Sequence, residues 1–157
     1  MKAKDFVGII PPVLSSFTSE GRVYEKGIRE IIRFTLPHVN GYYPIGTYGC
    51  GPLMSIDERK RALEIILEEV NGKVPVVAHV GTADTQTTVE LARHAKAAGA
   101  QGVGAISPYY SPHLPEDNLF AHFAALVDAV NEEDFPVYVY NNPHLSQNTI
   151  TPSLLKR

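Results

Sequence analysis

Short apolar runs recur along the chain at intervals of 27 to 34 residues, and this repeat limits the fold more than any other feature. Each run is rich in valine, isoleucine or tyrosine and has a glycine or proline close by, as β-strands do. Their apolar residues do not alternate cleanly with polar ones, which indicates a parallel sheet buried on both faces. The five predicted strands are Val7–Val13, Tyr42–Ile45, Val74–Val80, Val103–Ile106 and Val137–Tyr140.

Segments with helical spacing of apolar residues lie between these runs. The second of them has the clearest start, because Ser55 followed three residues later by Glu58 is a capping-box pattern. The predicted helices cover Glu25–Pro37, Ile56–Val70, Thr85–Ala98 and Glu116–Val130, and a fifth begins after Thr151 and Pro152.

The strand-helix repeat predicts an α/β fold in one domain over residues 1–157. Periodicity alone leaves two architectures open, a doubly wound sheet and a (β/α)8 barrel. A complete barrel typically needs about 250 residues. The length of 157 residues suits a flavodoxin-like sheet of five strands, or only the first part of a barrel.

Composition excludes several classes of partner. A net charge of −3 argues against nucleic acid or an anionic membrane surface, and no apolar run is long enough for a membrane span. The single cysteine, Cys50, allows no internal disulfide and fits a cytoplasmic location. We expect no metal, because the six histidines lack metal-binding spacing.

The most informative strand end is the glycine-rich stretch Gly46–Leu53, which follows the second predicted strand. Its main-chain amides could converge on a carboxylate or phosphate, but a plain glycine-rich turn explains the pattern equally well. Cys50 within it is better explained as a small buried filler than as a reactive thiolate. At the end of the third strand, His79 is more typical of a histidine with satisfied hydrogen bonds than of a catalyst.

Tyrosines mark the next two strand ends. Tyr109 and Tyr110 follow the fourth predicted strand, and Tyr140 ends the fifth, before Asn141 and Asn142. A phenol at such a place could transfer a proton, although composition alone favours ordinary aromatic packing for the pair Tyr109 and Tyr110.

Taken in order, these motifs resemble the dihydrodipicolinate synthase / N-acetylneuraminate lyase superfamily, the class I pyruvate-dependent aldolases. The resemblance covers the whole chain and favours the first five βα units of a (β/α)8 barrel over the doubly wound sheet. It rests on Gly8–Val13, Gly46–Gly49, Gly51–Arg59, Ser107–Tyr110 and Tyr140–Pro143.

The resemblance implies roles for four residues. Thr47 and the amides of Thr47 and Tyr48 would bind the carboxylate of a 2-keto acid such as pyruvate. Tyr140 would shuttle protons during imine formation and carbon–carbon bond making, and Tyr110 would complete the relay, in many relatives across a subunit interface. An aldehyde would be the second substrate, a homo-oligomer the expected assembly, and no cofactor would be needed.

Departures from the family pattern qualify these expectations. Cys50 replaces a glutamate, Tyr48 replaces a serine or threonine, and Leu145 stands where dihydrodipicolinate synthases carry an arginine for the second substrate. The Schiff-base lysine of the family would fall beyond Arg157. We therefore expect this chain to be inactive by itself. It would be the amino-terminal part of an aldolase or, alternatively, a non-catalytic part-barrel that binds a keto acid or a full-length relative.

Overall fold

The computed structural model describes residues 6–132 and 134–157, and it contains six α-helices and three parallel strands there. The helices are α1 (Glu25–Thr35), α2 (Ile56–Val70), α3 (Thr85–Ala97), α4 (Glu116–Val130), α5 (Pro143–Ser146) and α6 (Pro152–Leu155). The strands are β1 (Val77–His79), β2 (Gly102–Ile106) and β3 (Val137–Tyr140). Two 3-10 turns cover Leu36–His38 and Gly51–Leu53.

The sheet has the order β1-β2-β3, with His79 opposite Gly104 and Ile106 opposite Tyr140. Two further segments extend it on the β1 side. Tyr42 forms a parallel bridge with Val76, and the carbonyls of Ile9 and Pro11 accept hydrogen bonds from the 40–43 segment. Five extended segments therefore lie side by side in the order in which they occur along the chain.

The predictions of full strands over Val7–Val13 and Tyr42–Ile45 are wrong, because neither segment forms a continuous ladder. Pro11 and Pro12 in the first and Pro44 in the second carry no N–H to donate. The third predicted strand, Val74–Val80, is shorter in the structure and forms β1. Pro75, near its predicted start, also has no N–H to donate to a neighbouring strand. The fourth and fifth predicted strands are confirmed as β2 and β3 to within one residue.

The helices follow the predictions closely. The capping box before α2 is formed in both directions, between the Ser55 side chain and the Glu58 amide and between the Glu58 carboxylate and the Ser55 amide. The first helix ends at Thr35 rather than Pro37, and the chain continues as a 3-10 turn. Ile28 and Ile32, four residues apart on one face of α1, are fully buried.

Neighbouring helices pack on one another in sequence order: α1 on α2, α2 on α3, and α3 on α4. Sequential strand order with sequential helix packing places these helices on one side of the sheet. A doubly wound sheet instead reverses its strand order and has helices on both faces. The flavodoxin-like alternative is therefore excluded, and all strand carboxyl ends open at the same edge.

Candidate functional site

The glycine-rich turn after the second extended segment folds back tightly on its own start. Ile45 has φ 63°, a left-handed conformation that β-branched residues rarely adopt. Gly51 packs against Ile45 so closely that a Cβ at Gly51 would lie 1.9 Å from the Ile45 carbonyl oxygen. The turn therefore requires glycine at this position, and its backbone stores strain next to the strand end.

Four consecutive main-chain donors of this turn have no acceptor among residues 6–132 and 134–157. The amides of Cys50 and Gly51 donate to the carbonyls of Thr47 and Gly46. The amides of Gly46, Thr47, Tyr48 and Gly49, by contrast, donate to no main-chain or side-chain oxygen there. Adjacent free amides of this kind suit the two oxygens of a carboxylate.

A cavity of about 280 Å³ opens beside the turn. Its wall is mostly apolar, with single polar groups supplied by a threonine, a cysteine, a histidine and a tyrosine. The lining residues are Thr47, Cys50, Pro52, Leu53, His79, Ile106, Tyr109 and Leu145. Few polar groups in an apolar wall are typical of a site for a small organic molecule.

His79 is the buried polar group of this cavity, with 4% of its surface exposed. Among the described residues, neither of its ring nitrogens forms a hydrogen bond of ordinary length and angle, so the expectation of a histidine with satisfied hydrogen bonds is wrong. Burial first, and then the nearby charge of Arg59, lower the pKa of His79 from near 6.5 to about 3, while an interaction with the main chain of Ile45 opposes them. The imidazole is therefore neutral at physiological pH.

Arg59 lies behind His79, buried to 4% exposure. Its guanidinium donates to the carbonyl oxygens of His79 and Gly81, at 3.0 and 3.1 Å. Burial lowers the pKa of Arg59 to about 10, and the nearby Tyr109 phenol opposes this effect. Arg59 therefore remains a cation at neutral pH and fixes the main chain on both sides of the strand end.

Three aromatic rings meet at right angles on the face of the sheet away from the helices. The ring centroids of Tyr43 and His79 are 5.8 Å apart, and Tyr140 lies 6.2 Å from each. Asn142 donates its side-chain amide to the Tyr140 hydroxyl oxygen at 2.8 Å. Burial, with a smaller effect from Tyr140, raises the pKa of the Tyr43 phenol.

The structure brings two of the four predicted site residues to the same strand ends. Thr47 lines the cavity together with His79, and Tyr140 packs against the ring of His79. Tyr48 and Tyr110 are instead 65% and 85% exposed, and neither is among the residues that line this cavity. Cys50 is only partly buried and lines the cavity, so the interpretation as a buried filler is wrong.

Sequence reasoning missed Asn148, which joins two loops that flank the cavity. Its side-chain amide donates to the carbonyls of Pro108 and Ser111 at 2.8 Å each, and its oxygen accepts from the Leu114 amide. The residue is 2% exposed. No periodicity marks such a residue, because its partners lie 34 to 40 positions away in the chain.

A larger cavity, about 560 Å³, lies between α2 and α3 near the opposite ends of the strands. In parallel α/β folds, function is built at the carboxyl ends of the strands, so the smaller cavity is the candidate site. Within the described ranges no three histidine, cysteine or acidic side chains come together as a metal site. The described helices are all too short or too polar to cross a bilayer.

Comparison with known proteins decides the family. The model of the dihydrodipicolinate synthetase family matches residues 5–157, nearly the full length of the chain. The chain belongs to this family. The resemblance inferred from the motifs is therefore confirmed.

Family members with different activities match the chain similarly well. A 4-hydroxy-tetrahydrodipicolinate synthase of Agrobacterium fabrum is 36% identical over 151 residues, which are 96% of this chain and 50% of the relative. An N-acetylneuraminate lyase of Citrobacter koseri is 35% identical over 150 residues, 95% of this chain and 50% of the relative. The chain thus spans about half the length of the curated relatives it matches.

Solved structures of the family superpose well on the fold. YagE, a prophage protein of the dihydrodipicolinic acid synthase family from Escherichia coli K12 solved with pyruvate, matches with a TM-score of 0.90 and 35% identity. The alignment covers 96% of this chain and 50% of YagE. A Ruminococcus gnavus sialic acid aldolase matches with a TM-score of 0.89 and 30% identity, and the alignment covers 97% of this chain and 50% of the aldolase. The chain of this family member therefore forms about half of a (β/α)8 barrel, and the predicted fold class is confirmed.

Proposed function

We propose that the cavity at the strand ends binds the 2-keto acid of a Schiff-base aldolase or lyase reaction, in which a carbon–carbon bond to an aldehyde is made or cleaved. The free amides of Thr47 and Tyr48 carry this proposal. Thr47 lines the cavity and Tyr48 follows it directly in the chain, so a carboxylate bound at the turn would satisfy both amides. Pyruvate is the smallest such ligand, and YagE was solved in complex with it.

Tyr140 is the proposed proton shuttle. The Asn142 amide donates to its hydroxyl oxygen, so the phenolic proton is left for a donation to the ligand. Tyr110, exposed on the loop after β2, is the proposed second member of the relay. Its exposure agrees with a role in which it meets a second subunit of a homo-oligomer.

A Schiff base requires an amine with a lowered pKa that faces the carbonyl of the ligand. No lysine of the described residues lines the candidate cavity. We therefore propose that this chain binds the keto acid and orients a proton donor but forms no imine alone. The same observation supports a second candidate, a non-catalytic module that binds a keto acid or a full-length relative.

Isothermal titration calorimetry with pyruvate tests the binding site. We expect Thr47→Val to weaken pyruvate binding roughly tenfold, because the hydroxyl would no longer bond to a charged group. Thr149→Val is the matched control, since Thr149 is an exposed threonine outside the cavity. No binding of pyruvate to the unaltered protein, or equal losses in both variants, would contradict the proposal.

Borohydride reduction in the presence of pyruvate tests the proposal that this chain forms no imine alone. We expect the intact mass to stay unchanged, because the described part of the cavity offers no lysine. A stoichiometric adduct on one lysine would show instead that the chain has its own nucleophile. Circular dichroism of the treated protein controls for unfolding that exposes other amines.

Leu145 bears on whether the site accepts a ligand with a second carboxylate. It lines the cavity and is 47% exposed, where an arginine would bind a second carboxylate. We expect the protein to bind pyruvate more tightly than 2-oxoglutarate, which carries that second carboxylate. Leu145→Arg should reverse or abolish the preference, and an unaltered protein that prefers 2-oxoglutarate would refute the assignment.

A further inference from the structure

The loop after β2, residues 108–114, depends on another segment for all its hydrogen bonds. We call it the tyrosine loop. Within the part of the chain that the structure describes, it forms hydrogen bonds only with Gln147 and Asn148. The His113 amide donates to the Gln147 carbonyl, and every other bond of the loop is made by the Asn148 side chain.

The Asn148 side chain binds the tyrosine pair at both of its ends. Its Nδ2 donates to the carbonyl oxygens of Pro108 and Ser111, at 2.8 Å each. The first of these residues directly precedes Tyr109, and the second directly follows Tyr110. An extended chain would hold the two oxygens about 10 Å apart. Because both approach one nitrogen, the tyrosine pair lies at a bend that Asn148 closes.

The carboxamide of Asn148 is completely used by these contacts. Its two N–H groups face three carbonyl oxygens, the third being that of Ser146 at 3.0 Å. Its Oδ1 accepts from the Leu114 amide at 2.7 Å, and the residue is 2% exposed. An aspartate would offer no N–H to the carbonyls, and a glutamine would be one methylene too long. The position therefore requires asparagine.

Asn148 is itself held firmly on the chain. Gln147, with φ 54°, ends α5 in a left-handed conformation and so turns the chain before Asn148. The hydroxyl oxygen of the fully buried Ser146 accepts from the Asn148 amide at 3.2 Å. These contacts connect Asn148 directly to α5, the helix that also carries Leu145.

The two elements that Asn148 joins each supply a wall of the candidate cavity. Tyr109 lines it from the tyrosine loop, and Leu145 lines it from α5. Since the hydrogen bonds between these elements are made by Asn148 and Gln147, the distance between the two walls depends on them.

We propose that Asn148 is a positioning residue of the site. It holds Tyr109 at the cavity and fixes the bend from which Tyr110 projects. Its effect on ligand binding rests on the proposed function, whereas its effect on the loop does not. The two effects are therefore measured separately.

Amide hydrogen exchange measures the hold on the loop. We expect Asn148→Ala to speed exchange of the His113 amide roughly tenfold, about the effect of one hydrogen bond, although the acceptor of this amide is main chain and remains present. Asn141→Ala is the matched control, because within the described chain the Asn141 side chain bonds only to Ile150. An unchanged rate in Asn148→Ala, or the same increase in both variants, would overturn the proposal.

Titrations with pyruvate and 2-oxopentanoate measure the effect on the cavity. The longer acid has two additional methylenes that can contact the walls, so we expect the unaltered protein to bind it about tenfold more tightly. Asn148→Ala should reduce this advantage to about twofold and leave pyruvate affinity nearly unchanged, because the walls separate while the carboxylate turn stays intact. A merely structural loss would weaken both acids equally and leave their ratio unchanged.

The outcomes distinguish this inference from the proposed function. If the unaltered protein binds neither acid, the proposed function is wrong, and hydrogen exchange alone decides the role of Asn148. If it binds both but Asn148→Ala keeps the full advantage of the longer acid, the site stands and the positioning role is refuted.

A measurement on the unaltered protein covers the case in which Asn148→Ala does not fold. The side-chain N–H protons of Asn148 should exchange with water roughly ten times more slowly than those of Asn118, which is exposed on α4. Equal exchange at the two side chains would refute the proposal.

Discussion

Two adjacent tyrosines show how differently the two faces of the sheet are built. The hydroxyl of Tyr42 lies 2.7 Å from the Thr35 hydroxyl and 3.3 Å from the Ile32 carbonyl oxygen, which it contacts as a donor. The hydroxyl of Tyr43 is also buried but has no partner in the described chain. Tyr42 closes the contact between the sheet and α1, whereas Tyr43 points to the open side with His79 and Tyr140.

The same contrast extends along both faces. The helix-facing side packs small and branched apolar residues of the strands, such as Val76, Val103 and Ala105, into the main core. The open side has aromatic and polar residues, and Tyr43 crosses the sheet so closely that a Cβ at Gly104 would lie 2.7 Å from its ring. One face contributes stability, while the other leaves polar groups free for a ligand.

Truncation in the helix-facing core should produce the largest effect. Leu126 of α4 is fully buried in that core. We expect Leu126→Ala to lower the free energy of unfolding by about 2–5 kcal/mol, because it removes buried methyl groups and leaves a cavity. Urea unfolding measures this loss, and Val127→Ala at a partly exposed position is the control. Equal losses in both variants would show that α4 does not anchor the core.

Acidic pH should destabilise the protein through His79, which lies on the open face of the sheet. The pKa of His79 is about 3 in the folded chain and near 6.5 when unfolded, so between these values only the unfolded chain binds this proton. Stability therefore rises with pH across that window and is lost as the pH falls below about 6.5. Between pH 7 and pH 5 this single group should cost about 2 kcal/mol.

His79→Phe should remove that part of the pH dependence, and urea unfolding at pH 7 and pH 5 measures it. His122, which is buried and hydrogen-bonded to Thr85, has a lowered pKa of the same sign and remains in both proteins. The difference between the two proteins thus isolates His79. Identical pH dependence in both would mean that His79 is solvated in the folded chain.

The smallest expected effects come from the paired tyrosines themselves. Tyr42→Phe removes hydrogen bonds to Thr35 and Ile32 and should cost about 1 kcal/mol. Tyr43→Phe removes a buried hydroxyl that has no protein partner, so its effect on stability should be close to zero or favourable. Thermal unfolding of both variants measures these changes in stability. If Tyr43→Phe lost as much stability as Tyr42→Phe, the proposed difference between the two faces would be contradicted.

The sequence predicted the helices well because their signals are local. The capping box of Ser55 and Glu58 and the buried stripe of Ile28 and Ile32 depend on residues three or four positions apart. The first two strands were predicted too long because their apolar content is strand-like, while Pro11, Pro12 and Pro44 break the ladder. Periodicity does not reveal the order of strands in a sheet. The doubly wound sheet was excluded only by the structure, in which the five extended segments lie next to one another in the order of the chain.

For the site, the sequence by itself determined which residues follow the strands, and the order of its motifs determined the family. Only the tertiary structure decided which of them meet. Thr47 lines the same cavity as His79, and the ring of Tyr140 packs against His79, whereas Tyr48 and Tyr110 lie exposed. The reason is that a side chain's hydrogen-bond partners depend on contacts between segments distant in sequence. The sequence shows that His79 ends a strand, but only the packing of Tyr43, Arg59 and Gly46 around it shows that its nitrogens are left without a partner.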